Sequence, residues 1–120
     1  MYQKLIVIGN LGRDPELRYT PDGKEVTTFS MASTRRAGEK DWTVWYNVSV
    51  WGVQAKACSE FLRKGSKVLL EGYLLADESG NPRVYERKDG ILASSFDVSA
   101  QTVRFLDGKR GGENGDGEPY

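Results

Sequence analysis

The stretch TVWYNVSVWG, residues 43–52, decides how this chain is read. Taken as a strand, it sends successive side chains to opposite faces, with Val44, Tyr46, Val48 and Val50 on one side and Trp45, Asn47, Ser49 and Trp51 on the other. The first set is an ordinary core face. The second should meet water, yet it carries two of the three tryptophans in the chain. An apolar pair of that size calls for a covering loop, a subunit interface or a ligand that uses it.

Before this strand, EVTTFSMAST (25–34) reads as a second long strand with Phe29 and Met31 on one face, and RRAGEKD (35–41) as a polar, basic loop. Further back, QKLIVIGNLG (3–12) is a strand ending at glycines. Asp14-Pro15 supplies turn chemistry, LRYT is a short extended piece, and Pro21 to Gly23 closes it with another turn. After the opening stretch the period changes from two to about 3.6 between Gly52 and Gly65. Ala57, Cys58, Phe61 and Leu62 then share a helix face, and Gly65 stands as its C-terminal stop. Next come SKVLLEGYLLAD (66–77), a turn at ESGN, a strand around RVYE (83–86), a turn at Asp89-Gly90, and the long strand ILASSFDVSAQTVRFL (91–106). Residues 1–106 form one all-β domain on this reading, and the glycine-rich acidic segment 107–120 is expected to be a disordered tail. Five strands with one α-helix between the third and fourth is the element order of an OB-fold, a five-stranded Greek-key barrel, although other small barrels share that order. Gly9, Gly12, Gly52 and Gly72 read as points where barrel strands bend.

Composition narrows the function. The 120 residues are 38% hydrophobic, which suits one small globular domain. No apolar run approaches the roughly 18 residues of a membrane span, so no membrane partner is expected and the location is read as cytoplasmic. Histidine is absent and Cys58 is the lone cysteine, most simply a small buried hydrophobe. That removes the commonest general base and the usual zinc ligands, so neither an enzyme nor a metal or other cofactor is expected. Net charge is formally zero. Residues 107–120, however, hold four of the 17 acidic and two of the 17 basic residues, which leaves the domain with a slight basic excess of about two.

Four blocks, NLGRDPELRYTPDG, FSMAST, WYNVSVWG and LRKGSKVLLEGYL, stand in the order and spacing of the bacterial single-stranded DNA-binding protein family. The chain resembles that family over roughly residues 3–106. The resemblance implies an OB-fold subunit, usually a homotetramer, that coats single-stranded DNA with little sequence preference during replication, repair and recombination in the nucleoid. By position, Trp45 and Trp51 match aromatics on which the family stacks bases, Phe61 aligns with another aromatic near the DNA path, and Lys4, Arg18, Arg63 and Lys64 match basic positions near the backbone. Where the family often has a tryptophan in the loop after the second strand, this chain offers Arg35, Arg36, Lys40 and a displaced Trp42. In the hairpin after EGYL it offers Tyr85. The tail GENGDGEPY resembles a shortened version of the family's acidic tails, with Glu118, Pro119 and Tyr120 as a tip that replication and repair proteins would capture.

The physical reading of the same residues agrees with the resemblance. Every base has a π-face, so aromatic side chains stack bases without reading sequence, at about 1–3 kcal/mol per base, while a basic groove follows the phosphates. Six residues along one strand separate Trp45 and Trp51 by about 20 Å, a spacing for separate bases on one strand. Asn47 and Ser49 between them can bond sugars or base edges. The competing readings are a packing role for the tryptophans, core burial for Phe61, and plain solvation for the basic residues. At the level of the whole chain, the competitor is an OB-fold module for RNA or for protein contacts of the primosome type.

Overall fold

The ladders close a five-stranded barrel. The elements, in chain order, are β1 (Leu5–Leu11), β2 (Glu16–Tyr19), β3 (Glu25–Ala37), β4 (Lys40–Trp51), α1 (Val53–Phe61), β5 (Lys67–Leu75), β6 (Arg83–Glu86) and β7 (Leu92–Phe105). The computed structural model describes residues 1–107. Around the barrel the order is β1-β5-β7-β4-β3, and β1 returns to β3 through Asn10↔Ala32 and Leu11↔Met31. Among these pairings only β4 with β7 is parallel, which is the Greek-key signature of the expected OB-fold. The short strands β2 and β6 lie outside this circuit, paired to β3 and β7 respectively. Because Glu16–Tyr19 forms a full ladder with β3, it counts as a strand. Counted in chain order the helix therefore lies between the fourth and fifth strands, although among the five barrel strands it falls between the third and fourth.

Closure brings backbones together at two glycines. A Cβ on Gly9 would run into the Ala32 carbonyl, and one on Gly72 into the Ser99 carbonyl. The β5–β7 register shifts between Glu71 and Gly72, so the bend in β5 sits where the side chain is missing. Inside, Phe29, Met31, Val48, Val50, Val68, Leu70 and Val98 are fully buried. The helix covers one end of the barrel with Ala55 and Cys58, and the buried Thr27 hydroxyl donates to the Ala55 carbonyl at 2.6 Å.

Two local expectations are corrected. The helix ends at Phe61 rather than running toward Gly65, because Leu62 turns extended (φ −94°, ψ 151°) to enter the core while its N–H still donates to the Cys58 carbonyl. RRAGEKD is not a loop. The β3–β4 ladder continues through Arg35↔Trp42 and Arg36↔Asp41 to Ala37↔Lys40. Gly38, at φ 68°, lets the chain reverse in two residues. The ladder persists this far because Thr34 and Thr43 pair their hydroxyls at 2.9 Å and Arg36 meets Asp41 at 3.1 Å. Of the segment expected to be disordered, residues 108–120 lie outside the described residues. Asp107 accepts a hydrogen bond from the Lys67 N–H at 2.9 Å.

Candidate nucleic-acid interface

Directly paired residues of neighbouring strands share a face, so the register of β2, β3, β4 and β7 fixes what the outer face carries. One row is Arg18, Val26 and Trp51. The next is Thr28, Ser49 and Ser99, then Ser30, Asn47 and Asp97, then Ala32 and Trp45. Trp45 and Trp51 thus stand at the two ends of a polar strip. The two residues are 55% and 47% exposed, and neither belongs to the buried core. Trp45 leans on Gly12, where an added Cβ would lie 2.5 Å from the indole Cζ3. The Gly12 N–H is held by the Ser30 carbonyl at 2.9 Å, so a bare backbone serves as the rest for this ring.

Between the tryptophans, over Asn47 and Ser49, lies a groove of about 250 Å³ that also takes in Arg13, Arg18, Arg83 and Asp97. Three arginines face one carboxylate there. Asp97 accepts from Arg83 Nε at 2.8 Å, Ser95 Oγ at 2.9 Å and Asn47 Nδ2 at 3.2 Å. Burial pushes its pKa up, but the hydrogen bonds from Arg83, Ser95 and Asn47 and the Arg83 charge outweigh that and leave it below the ordinary carboxylate value. Arg83 is held even more firmly in its charged form by the same hydrogen bond and charge. Its guanidinium carbon lies 5.2 Å from the Tyr85 ring centroid, and Tyr85, two residues along β6, shares its face. Arg18 pairs with Glu16 at 3.1 Å with both side chains more than half exposed. Pairs of that kind contribute little and yield readily to a phosphate.

The hairpin splits the other candidates. Arg36 continues the tryptophan face beyond Thr34, whereas Arg35, Lys40 and Trp42 alternate to the opposite face, with Lys40 Nζ 5.1 Å from the Trp42 ring centroid. Arg63 sits at the end of the helix, its Nη1 donating to the carbonyls of Glu60 (3.0 Å) and Leu62 (2.8 Å). The Lys64 N–H donates to Asp14. Lys4 precedes β1 in a separate groove of about 420 Å³ with Tyr2, Leu5, Tyr73 and Leu74. Phe61 is 66% exposed with its ring 6.5 Å from Phe105, so it is not a core residue. None of Lys4, Phe61, Arg63 and Lys64 lines the groove between the tryptophans. Sequence reasoning missed Arg13, Arg83 and Asp97. Arg13 lies inside the NLGRDPE block and could have been singled out, but Arg83 and Asp97 meet only through the β6–β7 register.

A model of the single-strand binding protein family matches residues 2–106, the whole barrel. The chain belongs to that family. Among its relatives, the single-stranded DNA-binding protein of Neisseria meningitidis is 38% identical over 122 residues, covering 98% of this chain and 66% of the relative. The single-stranded DNA-binding protein A of Bacillus subtilis is 36% identical over 121 residues, with the same coverage of both chains. This chain thus spans a little under two thirds of the length of these relatives. A small single-stranded DNA-binding protein from Streptomyces coelicolor has the same fold, with a TM-score of 0.73 at 23% identity over 86% of this chain and 93% of the other. Family membership and barrel agree with the expectation from the four sequence blocks. Among the described residues, no helix is long and apolar enough to cross a membrane.

Proposed function

We propose that this protein binds single-stranded DNA with little sequence preference and coats exposed strands in replication, repair and recombination. The observation that carries the reading is the pair of half-exposed indoles on one face of β4, set at the ends of a groove with three arginines. Bases stack on Trp45 and Trp51, while Arg13, Arg18, Arg36 and Arg83 meet the phosphates. The names of the relatives support the same activity. Lys4, Arg63, Lys64 and Phe61 serve a longer strand wrapping around the barrel, and Arg35, Lys40 and Trp42 serve one passing the far side of the hairpin. The protein acts by binding and not by catalysis, in the cytoplasm at the nucleoid.

Self-assembly into a tetramer is part of the proposal. On the outer side of β1, Ile6 and Ile8 are 57% and 44% exposed on a sheet face, the type of apolar strip that subunits cover. Light scattering on the full chain tests it, and a monomer at micromolar concentration would refute it. Residues 113–120, with Glu118, Pro119 and Tyr120 at the tip, are the proposed docking segment for replication and repair proteins.

The deciding experiment is a titration of tryptophan fluorescence with oligothymidylate. Binding should quench the emission, and Trp45→Ala and Trp51→Ala should each weaken affinity by about 1–3 kcal/mol. Unchanged affinity together with a lowered melting temperature would make the tryptophans structural and sink the stacking model.

A further inference from the structure

Asp97 is the one carboxylate in the groove between the tryptophans among the described residues. A negative charge facing a polyanion opposes binding unless it organises something worth more. Its two oxygens collect donors from three places: Asn47 on β4, Ser95 on its own strand and Arg83 on β6. A carboxylate only accepts, so the Asn47 amide must turn its NH2 toward Asp97 and its oxygen elsewhere. Arg83 in turn lies against the Tyr85 ring. The arm that bears Arg83 and Tyr85 is exposed along its whole length and pairs with β7 through four residues only. Such a short ladder holds an arm loosely, and the Arg83–Asp97 contact is its side-chain ion pair to the barrel.

We propose that Asp97 is a positioning residue for single-stranded DNA: it holds the Arg83–Tyr85 pair of β6 on the same face as Trp45 and Trp51, so that Tyr85 offers a further stacking surface next to the strip. The inference rests on the proposed single-stranded DNA binding. It makes a prediction of opposite sign to bare electrostatics. Removing a negative charge from the path of a polyanion should tighten binding, whereas losing the anchor of the Tyr85 arm weakens it.

The test measures affinity of the full chain for a labelled oligothymidylate by anisotropy, for the wild type, Asp97→Asn, Tyr85→Ala and the double variant. Asp97→Asn and Tyr85→Ala should each weaken binding by roughly fivefold or more, fivefold being the low end of the loss of one stacked base, and the double variant should be no weaker than the worse single one. Asp97→Glu keeps the charge but displaces the acceptors, and should also weaken binding. This second variant carries the test if Asp97→Asn melts below the assay temperature. Wild-type or tighter binding by Asp97→Asn or Asp97→Glu overturns the proposal, as do effects of Asp97→Asn and Tyr85→Ala that multiply. Failure of the wild type to bind, or indifference to Trp45→Ala and Trp51→Ala, would instead overturn the function on which the inference rests.

Discussion

Gly12→Ala separates binding from folding in a single methyl group. Gly12 lies outside the positive-φ region, so alanine fits its backbone, but the new Cβ would sit 2.5 Å from Trp45 Cζ3 and 3.0 Å from Ser30 Oγ. Ordinary carbon contacts need about 3.5–4.0 Å, so the ring edge must retreat by about 1–1.5 Å. The atoms that move are the far end of an exposed side chain, which can swing outward without opening the core. Stability should therefore hold or rise slightly, since alanine restricts the unfolded chain by about 0.4–1 kcal/mol more than glycine. Affinity should fall, because the indole loses its rest and its fixed angle to a stacked base. Half of a stacking contribution of 1–3 kcal/mol is about 1 kcal/mol, or roughly fivefold in Kd. Paired thermal melts and oligothymidylate titrations read both quantities, with the Trp45→Ala background as control. If Gly12→Ala weakens binding equally with and without Trp45, or lowers the melting temperature while binding normally, the account of the indole resting on bare backbone is wrong.

Log affinity should fall linearly with log salt, by roughly 0.7 per phosphate contacted on single strands. Reversing the charge of Arg36, on the tryptophan face, should flatten that slope more than reversing Arg35, and equal effects would remove the distinction between the two faces of the hairpin. Burial pushes the Cys58 thiol up to about 11 from 9.0, so the unfolded chain loses this proton first and stability should decline as pH rises through that interval. A thiol reagent should find Cys58 silent in the native protein at neutral pH and reactive in denaturant; fast native reaction would contradict its burial. Deleting residues 113–120 should leave folding and DNA affinity intact, or tighten binding slightly, while abolishing capture of replication and repair partners. Equal partner capture by both forms in a pull-down would remove the docking role.

Period-two alternation is local, and it alone placed Trp45, Asn47, Ser49 and Trp51 opposite Val48 and Val50 as the structure has them. The helix was legible for the same reason, because its pattern needs only neighbours in the chain; strand order alone left several small barrels open, and the resemblance of the four sequence blocks pointed to the OB-fold. What sequence left open depends on partners far along it. Whether RRAGEKD forms a loop or a continued ladder is decided by cross-strand pairs such as Thr34 with Thr43, and that register sends Arg35 and Arg36 to opposite faces. Phe61 fits a helical stripe, yet it stays exposed while Leu62, extended just past the helix end, enters the core in its place. The groove itself draws Arg13, Asn47, Arg83 and Asp97 from four segments. Their meeting is set by barrel closure and by the β6–β7 and β4–β7 registers, which sum many non-local backbone hydrogen bonds and leave no periodic trace in the residues they bring together.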